Sequence, residues 1–143
     1  MSPYAQEFLE EFFRHLQQYD VVTISGMAQG VDDVVHKLSM QYGIPTIAIL
    51  GQGLGHVMRS GKASMVQKIV DAGGLVFSEF PLKMKSSPWS FPQRNRIIAG
   101  LAQCVVLPEA GEKSGSLITV DFAHAMQVPV YGVPGHFQSV TSA

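Results

Sequence analysis

Apolar positions along the chain keep two alternating rhythms, one helical and one of short uninterrupted runs. Between residues 3 and 19, Phe8, Leu9, Phe12, Phe13 and Leu16 share one helix face, with Glu7, Glu10, Glu11, Arg14 and Gln17 opposite. Residues 21–24 form a short apolar run read as a buried strand, followed by a Gly-containing loop at 25–30. A helix over 31–42 turns Val34, Val35 and Leu38 inward and stops at Gly43, in the position of a helix C-cap. The pattern then repeats. A strand is expected at 46–50 and a loop at 51–55. A helix at 62–72 carries Met65, Val66, Ile69 and Val70, ends at Gly73 and Gly74, and leads to a strand at 75–78. A long loop over 79–90 precedes a helix carrying Arg94 and Arg96. A strand at 104–107, a helix at 114–127 and a last strand at 130–133 complete the series.

Strands that alternate with helices and are apolar throughout predict a parallel sheet covered on both faces. The expected class is α/β, a single domain over 1–143, with no internal repeat and no linker. In such sheets ligands bind beyond the carboxyl ends of the strands, and every loop of chemical interest here lies at such an end. The chain opens on a helix and its last strand is followed by none. Either the sheet is complete as it stands or the chain is a piece of a longer domain.

Composition narrows the function classes. At 143 residues the chain is long enough to bury a core, and no apolar run approaches the ~20 residues of a membrane span. Residues 1–7 show neither a basic n-region nor an apolar h-region, so a cytoplasmic location is expected. One cysteine, Cys104, excludes an internal disulfide and a multi-cysteine metal site. Lying inside a predicted strand, it reads as a small buried apolar group. The five histidines are scattered, so neither a metal nor another cofactor is expected. A net charge of −1 argues against a broad duplex-binding face, and any nucleic-acid site must be local and concentrated.

Four loops carry candidate chemistry. Arg94 and Arg96, opening a helix, set two cations beside free N–H groups at the positive end of a helix dipole. That is either an anion site or a solvated helix start. The loop 25–30 would let backbone approach a phosphate at Ser25 and Gly26, although Asp32 and Asp33 in the following turn would repel an anion placed on that terminus. Gly51, Gly53 and Gly55 resemble half of a dinucleotide fingerprint in the wrong register. Ser114, Gly115 and Ser116, with Lys113 beside them, favour an anion cradle over plain N-capping. No nucleotide-hydrolysing loop, serine-hydrolase elbow or metalloprotease motif is present. Glu79 and Glu109 both follow strands and could face one pocket. Trp89 reads as packing; Phe91 is either packing or a stacking platform for bases.

Several stretches together resemble the DNA-processing protein A (DprA, or Smf) family. They are Ser25-Gly26-Met27-Ala28-Gln29-Gly30-Val31-Asp32, Ser78-Glu79-Phe80 and Phe91-Pro92-Gln93-Arg94-Asn95-Arg96-Ile97-Ile98-Ala99-Gly100-Leu101, then Glu109-Ala110, Ser114-Gly115-Ser116-Leu117-Ile118-Thr119 and Val133-Pro134-Gly135. The resemblance covers nearly the whole chain. It implies a Rossmann-like three-layer sandwich with a mostly parallel sheet. It also implies a non-enzymatic protein that binds and protects single-stranded DNA and helps load the RecA recombinase in natural transformation, usually as a homodimer. Phe91 would stack on a base. Arg94 and Arg96 would line a positive pocket, with Asn95 shaping the turn. Ser25, Gly26, Lys113, Ser114, Gly115 and Ser116 would hold phosphates.

The chain departs from the family pattern in four places. The family's first strand, with its terminal Gly-Ser/Thr-Arg motif, has no counterpart, and neither does the segment usually following Val133-Pro134-Gly135. A common Tyr-Pro is replaced by Val57-Met58. Pro88 stands where some relatives carry a lysine, for which Lys83 or Lys85 is the expected substitute. The expectation is therefore a fragment or a shortened relative, binding DNA more weakly than a full-length member. The alternative is a nucleotide-binding or nucleotide-processing protein related to the Lonely Guy phosphoribohydrolases, against which the absence of a PGGxGT loop at 109–116 argues.

Overall fold

The computed structural model describes residues 1–111 and 114–134. Helix α1 (Pro3–Leu16) starts where Pro3 supplies a helical φ and the Ser2 hydroxyl accepts the Ala5 N–H at 3.1 Å. Ala5, Leu9 and Phe13, spaced four apart, are its buried stripe. Strand β1 (Thr23–Ser25) leads through the 26–30 loop into α2 (Val31–Gln41). Strand β2 (Thr46–Ile49) is followed by a one-turn helix α3 (Leu54–Met58), which begins at the end of the expected 51–55 loop and is not itself expected, then by α4 (Ala63–Asp71). Strand β3 (Leu75–Phe77), helix α5 (Ser90–Leu101), strand β4 (Val105–Leu107), helix α6 (Ser116–Ala125) and strand β5 (Val130–Gly132) complete the order.

Three helices stop in the same way, and their sequences say why. After α2, Gly43 turns left-handed (φ 68°), the Ile44 N–H reaches the Ser39 carbonyl at 2.8 Å and the Gly43 N–H reaches Met40. After α4, Gly73 (φ 81°) and Gly74 repeat the pattern on Val70 and Ile69. This is the Schellman closure, which satisfies carbonyls the helix leaves over. Helix α6 closes identically with Gln127 in the left-handed position (φ 59°), without a glycine to announce it.

Among the described residues all strand pairs are parallel, as expected of an α/β fold, and they form two sheets, one of three strands in the order β1-β2-β3 and one of β4 and β5. Thr23 pairs with Thr46, Ile47 with Leu75, and Val105 with Val130. The sheet expected from periodicity is therefore divided, with β1 and β4 each an edge strand.

Two apolar clusters hold the first sheet. Met27, Ala48, Leu50, Val57, Val66 and Ile69 pack between β2 and helices α3 and α4. Leu9, Phe13, Leu38 and Ile44 join α1 to α2. Between them runs a polar seam. Thr23 Oγ1 lies 2.7 Å from Ser39 Oγ and 2.8 Å from Thr46 Oγ1, and Thr46 Oγ1 lies 2.8 Å from Nδ1 of the fully buried His36. Cys104 departs from expectation. It is exposed, one residue ahead of β4, on an open apolar groove shared with Phe8, Phe12, Val106 and Tyr131. Among the described residues the edge strand β4 has no neighbour there to cover it.

Candidate nucleic-acid interface

Helix α5 starts at Ser90, earlier than the arginine pair suggests. The buried Ser90 hydroxyl donates to the Ser87 carbonyl at 3.0 Å and accepts the Ser87 N–H at 2.9 Å, tying the long loop to the first turn of the helix. The expectation that Arg94 and Arg96 open the helix is thereby corrected: both lie beyond the first turn, and the dipole end belongs to Ser90 and Phe91. Each residue advances about 100° round a helix. Phe91 and Arg94, three apart, share a face, whereas Arg94 and Arg96 point to nearly opposite sides.

The two arginines consequently differ. Arg94 is only 4% exposed. Its Nη1 donates to the Gly26 carbonyl at 2.6 Å and to the Ile49 carbonyl, joining α5 to the carboxyl ends of β1 and β2. Its Nε donates to Asn95 Oδ1 at 3.0 Å. Burial pulls its pKa below the ordinary value, while the nearby charge of Asp32 opposes that pull. Arg96 is half-exposed and holds Glu79, from the end of β3, in an ion pair.

Phe91 keeps 40% of its surface exposed. The Arg94 Cζ stands 5.6 Å from its ring centroid, within cation–π range. The ring rests on the backbone of Gly51. Trp89, read as packing, meets the Phe80 ring edge-on at 5.7 Å yet stays 59% exposed.

The loop glycines also find a role. A Cβ at Gly51 would meet Phe91, one at Gly53 the Pro81 and Leu82 carbonyls, and one at Gly55 Leu82. The Gly53 N–H donates to Met84 at 2.8 Å. The alternating glycines thus let the 81–84 segment and Phe91 lie directly on the backbone, so they form a packing surface.

Asp32 lies in the first turn of α2, as expected, and it also organises the 25–30 loop. Its carboxylate accepts the Ser25 hydroxyl and, at 3.1 Å, the Ala28 N–H. Lys62 donates to the carbonyl of Met27, a buried residue in the left-handed region (φ 56°). The spacing of Ser25 and Asp32 around a Gly-containing turn carries that signal; nothing in the sequence points to Lys62. At the start of α6 the Ser114 and Ser116 hydroxyls bond each other, and Ser114 Oγ accepts the Ser116 N–H at 3.3 Å. Asn95 Nδ2 donates to the Gly115 carbonyl at 3.3 Å, bringing the α5 and α6 elements together. Lys113 lies outside the described residues. Glu79 and Glu109 do not share a pocket, because Glu109 accepts the Ser2 N–H on both oxygens at 3.1 and 2.9 Å.

Helix α5 thus carries an exposed aromatic ring and a half-exposed arginine, and Asn95 joins it to the two-serine start of α6. The family model for DNA recombination-mediator protein A matches residues 1–143. The chain belongs to this family. Protein Smf of Escherichia coli is 37% identical over 134 residues, which cover 94% of this chain and 36% of that protein. The X-ray structure of DNA processing protein A from Streptococcus pneumoniae superposes with a TM-score of 0.87 at 32% identity, covering 99% of this chain and 50% of that one. The Helicobacter pylori DNA processing protein A, whose structure addresses a single-stranded DNA binding mode, gives 0.86 at 26% identity, covering 99% and 64%. The fold is that of these proteins, Rossmann-like with parallel strands. The chain spans about a third to two thirds of the relatives it matches. Among the described residues no group of His, Cys, Asp or Glu could hold a metal ion, and no helix is long and apolar enough to cross a membrane.

Proposed function

We propose that this domain binds single-stranded DNA, with Phe91 stacking on a base and Arg96, Asn95, Ser114, Gly115, Ser116 and Lys113 serving the phosphate backbone, above a floor formed by Ser25 and Gly26. The observation that carries the reading is the Phe91 ring, exposed at the head of α5 while its neighbours Ser90 and Arg94 are buried. An aromatic platform accepts any base, and base stacking is worth about 1–3 kcal/mol per base. The Asn95 bond to Gly115 supports a shared phosphate track from α5 to α6. A narrow site for one strand also accommodates a net charge of −1.

As part of a longer domain in a homodimeric, cytoplasmic protein, the module protects single strands and helps load RecA recombinase, acting without catalysis. The edge strands β1 and β4 support membership of a larger sheet. The family match does not favour nucleotide processing of the Lonely Guy kind.

Fluorescence polarization with a short labelled oligothymidine tests the binding. Affinity falls as salt rises, by a slope of about 0.7 per phosphate engaged, and Phe91→Ala weakens binding about tenfold or more. An absence of binding by the unmodified protein at low salt would overturn the reading.

A further inference from the structure

Phe91 is held from two directions, and neither contact is one a DNA strand would make. Arg94 stands beside the ring with its Cζ 5.6 Å from the centroid. The guanidinium cannot swing out to a phosphate without abandoning the Gly26 and Ile49 carbonyls to which it donates. It is also confined from below, because a Cβ on Gly26 would lie 2.6 Å from its Nη1. The second contact is Gly51. A methyl group there would stand 2.4 Å from Phe91 Cδ1, 2.9 Å from Cε1 and 3.1 Å from Cγ, its three nearest neighbours. The Gly51 backbone is not in the left-handed region, so an alanine would meet no conformational penalty, only the ring.

We propose that Gly51 and Arg94 are positioning residues: together they seat the Phe91 ring and fix the direction of its exposed face, and Arg94 takes no phosphate itself. The proposal rests on the single-strand reading for its purpose and on the packing for its geometry, and the two are tested separately.

Gly51→Ala, Phe91→Ala and the double variant are compared by oligothymidine polarization over a range of salt and by thermal unfolding. Gly51→Ala is expected to weaken binding about as much as Phe91→Ala, roughly tenfold, with the salt slope unchanged. In the Phe91→Ala background, adding Gly51→Ala costs nothing further, which is the coupling expected of residues in contact. Arg94→Lys lowers affinity severalfold at an unchanged slope, whereas Arg96→Gln flattens the slope by about 0.7. Wild-type binding by Gly51→Ala, losses that multiply in the double variant, or a flattened slope in Arg94→Lys would each overturn the proposal.

The melting temperatures make the same cycle without DNA. Gly51→Ala lowers Tm when the ring is present and leaves it unchanged when the ring is gone. An equal loss in both backgrounds would show that the ring does not sit on Gly51, whatever the DNA result. If the unmodified protein bound no oligothymidine, the single-strand reading would fall, and the thermal cycle would still decide the seat.

Discussion

A guanidinium withdrawn from water stays charged and must find acceptors for its N–H groups. Arg94 finds main-chain carbonyls at the ends of two neighbouring strands, so one side chain ties α5 to β1 and β2 at the mouth of the site. Arg94→Met would keep much of the volume and leave the Gly26 and Ile49 carbonyls unpaired. The expected loss is about 1–3 kcal/mol for each carbonyl stranded, read as a lower urea midpoint at unchanged m-value. A midpoint equal to the wild type's would mean that solvent serves those carbonyls as well as the guanidinium does. Nothing in the sequence separates this arginine from Arg96. Both belong to one motif, and only the phase of the helix, set by where α5 begins, decides which faces inward. Phe91, by contrast, is legible as an aromatic that either packs or stacks on a base, although its seat on Gly51 is not.

At the scale of elements, the loops after β1, β2 and β3 are built against one another. Gly51, Gly53 and Gly55 suggest a broken nucleotide fingerprint in the sequence because their partners, Phe91 and the 81–82 carbonyls, lie far along the chain. Glu79 shows what such proximity does electrostatically. Leaving β3, it holds Arg96, the half-exposed arginine of α5, in an ion pair. A phosphate reaching Arg96 must displace that carboxylate. Glu79→Gln should therefore raise oligothymidine affinity, by up to about fivefold given the usual worth of an exposed pair, with the largest gain at low salt. Polarization across a salt series checks it. An unchanged or weaker affinity would show that Glu79 positions Arg96 for the strand and does not compete with it.

At the scale of the whole molecule, the order of helices and parallel strands is legible because period and punctuation agree at nearly every element, down to Gly43 and Gly73 at the helix ends. The division into two sheets is not a matter of periodicity, since strand pairing is decided by which strands lie side by side, and the motifs that imply a further strand come from the resemblance alone. The seam between β1, β2 and α2 is equally hidden, because Thr23, Ser39, Thr46 and His36 become a network only when the three elements pack. That seam carries a prediction for the stability of the fold. His36 is fully buried, its Nδ1 is bonded to Thr46, and its Nε2 has no partner among the described residues. Burial lowers its pKa from 6.5 to about 4, against the opposing charges of Asp32 and Asp33 and with a smaller push from Lys62. The folded state thus binds fewer protons than the unfolded chain between those two values, so stability rises with pH across that window. The contribution is complete above pH 6.5, is lost progressively on acidification, and changes no further once the pH falls through about 4. Its size is about 3 kcal/mol, from roughly 1.4 kcal/mol per pKa unit. Urea unfolding of the wild type and His36→Gln at a series of pH values isolates it. The difference between the two should change steeply between pH 6.5 and 4 and be flat above. Parallel curves through the whole range would mean that His36 is reached by solvent in the folded protein.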